Sequence, residues 1–148
     1  QEAKSMLYRK WVYEDIFWIA AIEKKCFSDP WTFQMLADTF FNDRALKLAA
    51  EEEGSVVGYG FCMVAGEEAD LADLAVESGF RRRGIAAALL RQLEEGARSA
   101  GAKRMFLEVR VSNAAAMRLY LKAGYVGRYA RPRYYGDGED ALVMEKVL

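Results

Sequence analysis

Hydrophobic positions along the chain alternate between two periods. From Tyr13 to Cys26 a helical spacing runs through Ile16, Ile19 or Ala20, Ile22 or Glu23, and Cys26. The segment Ser28-Asp29-Pro30-Trp31 breaks that pattern, because proline pushes its predecessor out of helical geometry. Thr32 is placed to cap a second helix reaching Phe41. Strands are predicted over Met6–Trp11, Ala45–Glu52, Val56–Val64 and Ala69–Val76, with a hairpin joint at Gly54-Ser55. The strongest helix runs from Gly84 to Ala100, with Ile85, Leu89 and Leu93 on one face and Gly101 as its stop. The strand Arg104–Val111 puts Met105, Leu107 and Val109 on one face and Phe106, Glu108 and Arg110 on the other. A helix over Asn113–Ala123 ends at Gly124. Strands over Tyr125–Arg133 and Ala141–Val147 follow, with Gly136-Asp137-Gly138 between them. The predicted order is β-α-α, a strand meander, then β-α-β-α-β-β, which is mixed α/β with helices packed on a central sheet.

Length and composition narrow the classes. At 148 residues and 53% hydrophobic, the chain suits one domain over residues 1–148 with one core. A net charge of −1 gives no footprint for bulk nucleic-acid binding, so no nucleic-acid partner is expected. The strictly apolar run Ile16–Ile22 is too short to span a bilayer, so no membrane partner is expected. Two cysteines and no secretory pattern predict free thiols and a cytoplasmic protein. Met6 is a candidate native start, which would make residues 1–5 foreign to the natural chain. The chain has no histidine, which excludes His-activated nucleophiles and imidazole zinc sites. No metal is expected, and acid–base chemistry falls to carboxylate, tyrosine, lysine or a terminus.

The stretch Gly79-Phe80-Arg81-Arg82-Arg83-Gly84-Ile85-Ala86-Ala87 stands between a strand and the strongest helix. A helix N-terminus carries unpaired N–H groups and partial positive charge, and arginines there are unfavourable unless an anion joins them. A phosphate would satisfy both, with Gly84 permitting close approach to the backbone. The competing reading is a solvated surface turn. Gly79 and Gly84 have the spacing of a nucleotide-triphosphate loop, but Ile85-Ala86 replaces its Lys-Ser/Thr pair. No G-x-G-x-x-G opens a helix, so a dinucleotide fold is also disfavoured.

Arg81-x-x-Gly84-x-Ala86 resembles the R/Q-x-x-G-x-G/A signature of the GNAT N-acetyltransferases. Leu71–Val76, Leu107-Glu108-Val109-Arg110, Asn113, Ala116, Leu119-Tyr120 and Gly124-Tyr125 are similar to the ribosomal-protein alanine N-acetyltransferases among them, as are Cys26–Trp31 and Arg133-Tyr134-Tyr135. The resemblance implies a mixed, mostly antiparallel sheet of six or seven strands with about four helices. It also implies a splay between the Leu74 and Glu108 strands that admits acetyl-CoA. Arg81, Arg82, Arg83, Gly84, Ile85, Ala86 and Ala87 would bind its pyrophosphate. The backbone of Leu74, Ala75 and Val76 would hold its pantetheine arm, with Asn113 and Tyr120 as further contacts. Glu108 would be the general base and Tyr120 the acid that protonates the leaving thiolate. Trp31, Glu108, Tyr134 and Tyr135 would shape the acceptor site.

The residues themselves leave structural alternatives beside these roles. Glu108 suits an ion pair with Arg110 or another base, Tyr120 suits packing beside Ala116 and Ala123, Asn113 suits a helix cap, and Trp31 suits core packing behind Pro30. Cys62, with no histidine partner, reads as a buried structural thiol. The implied acceptor is the N-terminal alanine of a small-subunit ribosomal protein, acetylated directly in a ternary complex. Alternatives are a small amine, a lysine side chain, or a non-catalytic acyl-CoA sensor. An α-amine of pKa near 8 is easier to deprotonate than a lysine near 10.4, a gap of roughly 3.4 kcal/mol. Glu67, Glu68, Asp70, Asp137, Glu139 and Asp140 are candidates for an acidic patch that would receive a basic peptide. Asp73 departs from the neutral polar residue common at its position in that group.

Overall fold

A computed structural model describes residues 6–148; the expectation about residues 1–5 lies outside the described residues. The elements are β1 (Met6–Lys10), α1 (Asp15–Cys26), α2 (Phe33–Phe40), β2 (Ala45–Glu52), β3 (Ser55–Ala65), β4 (Glu68–Val76), a 3-10 turn at Ser78–Phe80, α3 (Ile85–Ser99), β5 (Arg104–Arg110), α4 (Ala114–Lys122), β6 (Val126–Arg131) and β7 (Ala141–Val147). Predicted and observed boundaries agree within a residue or two. The β2–β3 turn differs by one residue from the expected Gly54-Ser55. Its centre is Glu53-Gly54, both at positive φ (51° and 83°), and Ser55 already pairs with Glu52. Two left-handed central residues suit the twist of a tight hairpin.

The strands form one sheet in the order β1-β2-β3-β4-β5-β7-β6. Every pairing is antiparallel except β4 with β5. Each face of the sheet has its own apolar cluster. Ile16, Ile19 and Ile22 of α1 and Leu36 of α2 pack with Tyr59 and Phe61 of β3. Leu90, Leu93 and Ala97 of α3 pack with Cys62, Met105, Leu107, Val109 and Met144. Leu89 and Leu93 are fully buried, each contributing about 1.5–3 kcal/mol of transfer free energy. The buried Glu94 of α3 accepts from Tyr125 Oη (2.8 Å) and Lys146 Nζ (2.9 Å), tying that helix to β7 and to the start of β6.

One irregularity positions the site. β4 and β5 pair only at Glu68/Arg104, Ala69/Met105 and Asp70/Phe106. Beyond Asp70 the strands part, while β5 stays paired to β7 along its whole length. The β3–β4 register skips Ala72: Phe61 faces Asp73, and Cys62 faces Leu71. Such a bulge bends its strand and re-aims a side chain. The implied splay between the Leu74 and Glu108 strands is therefore present in the sheet.

Candidate active site

Two adjoining clefts open where β4 and β5 part. The larger, about 820 Å3, is lined by Phe27, Ser28, Asp29, Trp31, Asp70, Leu71, Ala72, Glu108, Arg110, Tyr134, Tyr135 and Gly136. The smaller, about 220 Å3, lies between the strands and is lined among others by Glu23, Asp73, Leu74, Glu108, Asn113, Ala116 and Tyr120. Trp31, Glu108, Tyr134 and Tyr135 thus meet in one cavity, and Glu108 belongs to both clefts. Trp31 also packs edge-on against Phe61, with ring centroids 5.0 Å apart, so it serves core and cleft together.

Glu108 follows Phe106 on the same face of β5, just past the last rung shared with β4. It does not pair with Arg110. That guanidinium goes to Asp137 (2.8 Å) and Glu139 (2.9 Å) and lies over the Tyr135 ring at 4.0 Å. The nearest base to Glu108 is Arg131 on β6, at 3.6 Å. Burial pushes the Glu108 carboxyl above the usual glutamate range; Arg131 opposes the rise and Asp70 adds to it. Tyr120 is buried, packed edge-on to Tyr125 at 5.8 Å, and burial pushes its phenol up, so it holds its proton. Asn113 Oδ1 accepts from the Ala116 N–H at 3.1 Å, and this cap leaves Asn113 on the cleft wall.

The arginine–glycine turn behaves unevenly. Arg81 turns inward, donating from Nε to the Val76 carbonyl (3.1 Å) and from Nη2 to Cys26 Sγ (3.4 Å). Arg83 donates to Glu52 at 3.2 Å and covers the Phe80 ring at 5.0 Å. Arg82, at φ 65°, makes no hydrogen bond or ion pair among the described residues. Of the three arginines, Arg82 is thus the one left without a partner among the described residues, while Arg81 and Arg83 fasten the loop to β4 and β2. Gly84 caps α3 at φ 79°, and a Cβ there would meet nothing within 4 Å. The first helical bond runs from the Ala88 N–H to the Gly84 carbonyl (3.0 Å), so the N–H groups of Ile85, Ala86 and Ala87 lack helical acceptors. An open left-handed turn with free N–H groups suits a phosphate. Between turn and cleft, the edge of β4 facing β5 has no strand partner beyond Asp70; on that edge the Leu74 N–H donates to Asp73 Oδ1 at 2.9 Å and the Val76 carbonyl accepts from Arg81.

The expected acidic patch is only partly at the cleft. Asp70 lines it, whereas Asp137 and Glu139 are held by Arg110, Glu67 pairs with Lys103 at 3.5 Å, and Asp140 accepts from the Arg133 N–H at 2.9 Å. Asp29, Glu23 and Arg131 join the site without having been singled out for it. For Asp29 the available signal was its place in the proline loop; Glu23 carried none, because one α1 residue at helical spacing does not reveal what it faces across the sheet. Cys62 is buried, and burial pushes its thiol up to about 12, which fits a structural thiol.

Comparison with known proteins supplies the remaining evidence. The family model "Acetyltransferase (GNAT) family" matches residues 15–125. An N-acetyltransferase of Methanocaldococcus jannaschii is 35% identical over 142 residues, covering 95% of this chain and 91% of that protein. The ribosomal protein bS18-alanine N-acetyltransferase of Escherichia coli strain K12 is 33% identical over 126 residues, covering 83% and 84%. The crystal structure of the ribosomal-protein-S18-alanine N-acetyltransferase from Escherichia coli superposes with a TM-score of 0.88 at 29% identity, covering 97% of this chain and 94% of that one.

Proposed function

The chain belongs to the GNAT family of N-acetyltransferases, and on that premise we propose that it moves an acetyl group from acetyl-CoA to the α-amine of a protein N-terminus, with a ribosomal-protein alanine as acceptor. The observation that carries the reading is the meeting of Glu108 with Trp31, Tyr134 and Tyr135 where β4 and β5 part. Acetyl-CoA supplies the activated acyl carbon. The N–H groups of Ile85, Ala86 and Ala87, with Arg82, hold the pyrophosphate at the N-terminus of α3, and Gly84 leaves room for it. The β4 segment Leu74, Ala75 and Val76, unpaired with β5, aligns the pantetheine arm, with Asn113 and Tyr120 on the opposite wall.

The acceptor enters the larger cleft between Trp31 and the Tyr134-Tyr135 turn. Asp29 and Asp70 favour a cationic amine there. Glu108 takes the amine proton, and its carboxyl is suited to that task because burial raises its proton affinity. Tyr120 keeps its phenolic proton until it passes to the departing thiolate. The alanine-starting acceptor rests on the relatives named for that activity and on the carboxylates of the cleft.

Thiol release from acetyl-CoA, with mass spectrometry of the product, tests the proposal. The acceptors are an alanine-starting, arginine-rich peptide, an N-terminally blocked lysine peptide and polyamines. Acetylation confined to the free alanine terminus is expected. Faster transfer to lysine or polyamine overturns the acceptor, and acetyl-CoA binding without any turnover overturns the enzymatic reading.

A further inference from the structure

The loop between α1 and α2 forms one wall of the larger cleft, where Phe27, Ser28, Asp29 and Trp31 line the cavity. Little of its own backbone holds it. Phe27 leaves α1 in extended conformation (φ −129°, ψ 141°), and Pro30 has no N–H to donate. Among the described residues, the hydrogen bond that ties residues 28–31 to the rest of the chain runs from the Trp31 N–H to Glu23 Oε1, at 2.8 Å. The main-chain carbonyl of Glu23 also accepts from the Phe27 N–H at 3.0 Å. One residue of α1 thus grips the segment at both ends, through its backbone at Phe27 and its side chain at Trp31.

Glu23 is in turn fixed from the sheet. It is 1% exposed, its Oε2 accepts from Tyr59 Oη of β3 at 2.6 Å, and the Asp73 carboxyl of β4 is hydrogen-bonded to it. Burying a carboxyl costs more than burying an apolar side chain of its size, so Glu23 adds direction to the core more than stability. The Trp31 ring is steadied separately, edge-on against the buried Phe61 of β3 with centroids 5.0 Å apart. Both anchors of Trp31 lead to β3, whose neighbour β4 parts from β5 beside Glu108. The wall of the cleft is therefore referenced to the part of the sheet that forms its floor.

We propose that Glu23 is a positioning residue for acyl transfer: its bond to the Trp31 N–H sets the indole against which the acceptor N-terminus is aligned with Glu108. This rests on the acyl-transfer reading above. In this role Glu23 takes no proton and makes no bond to the acceptor; it acts through Trp31. Released from Glu23, residues 28–31 lose their tether, and Trp31 keeps its ring contact with Phe61 alone. A displacement of about 1 Å at such a wall is enough to misalign an attacking amine. The groups assigned to acetyl-CoA lie on β4, α3 and α4, outside the loop, so the effect falls on the acceptor.

Amide hydrogen exchange read by nuclear magnetic resonance, together with steady-state rates on the alanine-starting peptide, tests this. The Trp31 N–H of the natural chain should be protected from exchange. Glu23→Gln, whose side-chain oxygen still accepts, should keep that protection and most of the acceptor KM. Glu23→Leu, and Glu23→Met as the alternative where leucine does not fold, should lose the protection. They should raise the acceptor KM on the order of tenfold or more, at unchanged acetyl-CoA affinity. In a Trp31→Ala background the KM is already raised, and Glu23→Leu should then raise it no further, because Glu23 acts through Trp31. A role confined to stability would lower the melting temperature and leave the acceptor KM in place, overturning the proposal. So would KM losses that multiply in the double variant, or a Trp31 N–H of the natural chain that exchanges as fast as an open loop. The exchange measurement needs no turnover: a protected Trp31 N–H in a chain that acetylates nothing brings down the acyl-transfer reading, whereas full turnover with an unprotected Trp31 N–H brings down the Glu23 inference alone.

Discussion

Replacing Gly84 by alanine separates the two things this residue does. Gly84 sits at φ 79°, in the left-handed region, where a Cβ costs about 1–2 kcal/mol. Nothing lies within 4 Å of the added methyl, so no clash enlarges that cost. For a chain of this size, roughly 2–4 °C of melting temperature is lost per kcal/mol, so a fall of about 2–8 °C is expected. The methyl would stand where an anion approaches the free N–H groups of Ile85, Ala86 and Ala87. Losing one hydrogen bond to a charged group costs about 1.5–3 kcal/mol, roughly a tenfold to 150-fold loss of affinity. Scanning calorimetry reads the first number, and titration calorimetry with CoA and with pantetheine reads the second. CoA affinity should fall while pantetheine affinity, which owes nothing to the pyrophosphate, stays level. Equal losses for both ligands, or none for either, would refute the assignment of this turn as the phosphate cradle.

Other outcomes follow from the same geometry. Glu108→Gln should lower kcat/KM for the acceptor by about 10²–10⁴-fold with CoA affinity unchanged, read by steady-state rates and calorimetry. Because Glu108 must be ionised to act as base and its pKa is raised, the acid limb of the kcat/KM profile should lie above the ordinary glutamate range. Arg131→Gln removes a neighbour that favours the carboxylate, so that limb should move to still higher pH; movement downward would contradict the contact. Tyr120→Phe should lower kcat with little effect on the acceptor KM, and an unchanged kcat would remove Tyr120 from the protonation step. Arg110→Leu frees Asp137, Glu139 and the Tyr135 ring together, and should raise the acceptor KM more than it lowers kcat.

Much of the fold could be read in the residues because period and punctuation agree. Ile85, Leu89 and Leu93 announced α3, Thr32 and Asn113 announced caps that do accept from Met35 and Ala116, and Met105, Leu107 and Val109 announced the buried face of β5. The same alternation placed Glu108 on the opposite face. Long-range pairing was not legible. Nothing local shows that β5 lies between β4 and β7, that pairing ends at Asp70, or that Ala72 bulges, and these three facts make the cleft. Charge partners were equally hidden. Arg81 and Arg83 looked alike in a row of three, yet one turns to Val76 and the other to Glu52. The pairing of Glu108 with Arg131 instead of Arg110 depends on β6 lying beyond β7, a matter of topology and not of spacing.

On the proposed mechanism, the Arg131 contact tunes Glu108 as a base. A half-buried carboxylate with no cation nearby would drift towards its protonated form and stop accepting protons. A cation in a short bidentate bond would do the reverse, occupying both oxygens and lowering proton affinity too far. Arg131 lies between these limits. At 3.6 Å it is beyond hydrogen-bond distance, so it favours the charged form of Glu108 while taking neither oxygen. It reaches in from β6, an edge strand exposed along its whole length, where salt and solvent temper its pull. Burial and Asp70 act in the other direction. The net effect is a carboxylate with both oxygens free to accept and a proton affinity above that of an ordinary glutamate. An α-ammonium near pKa 8 is easier for such a base to deprotonate than a lysine by about 3.4 kcal/mol. On the proposed reading, part of the preference for a chain terminus comes from the acceptor amine itself, whose lower pKa leaves this base less to do.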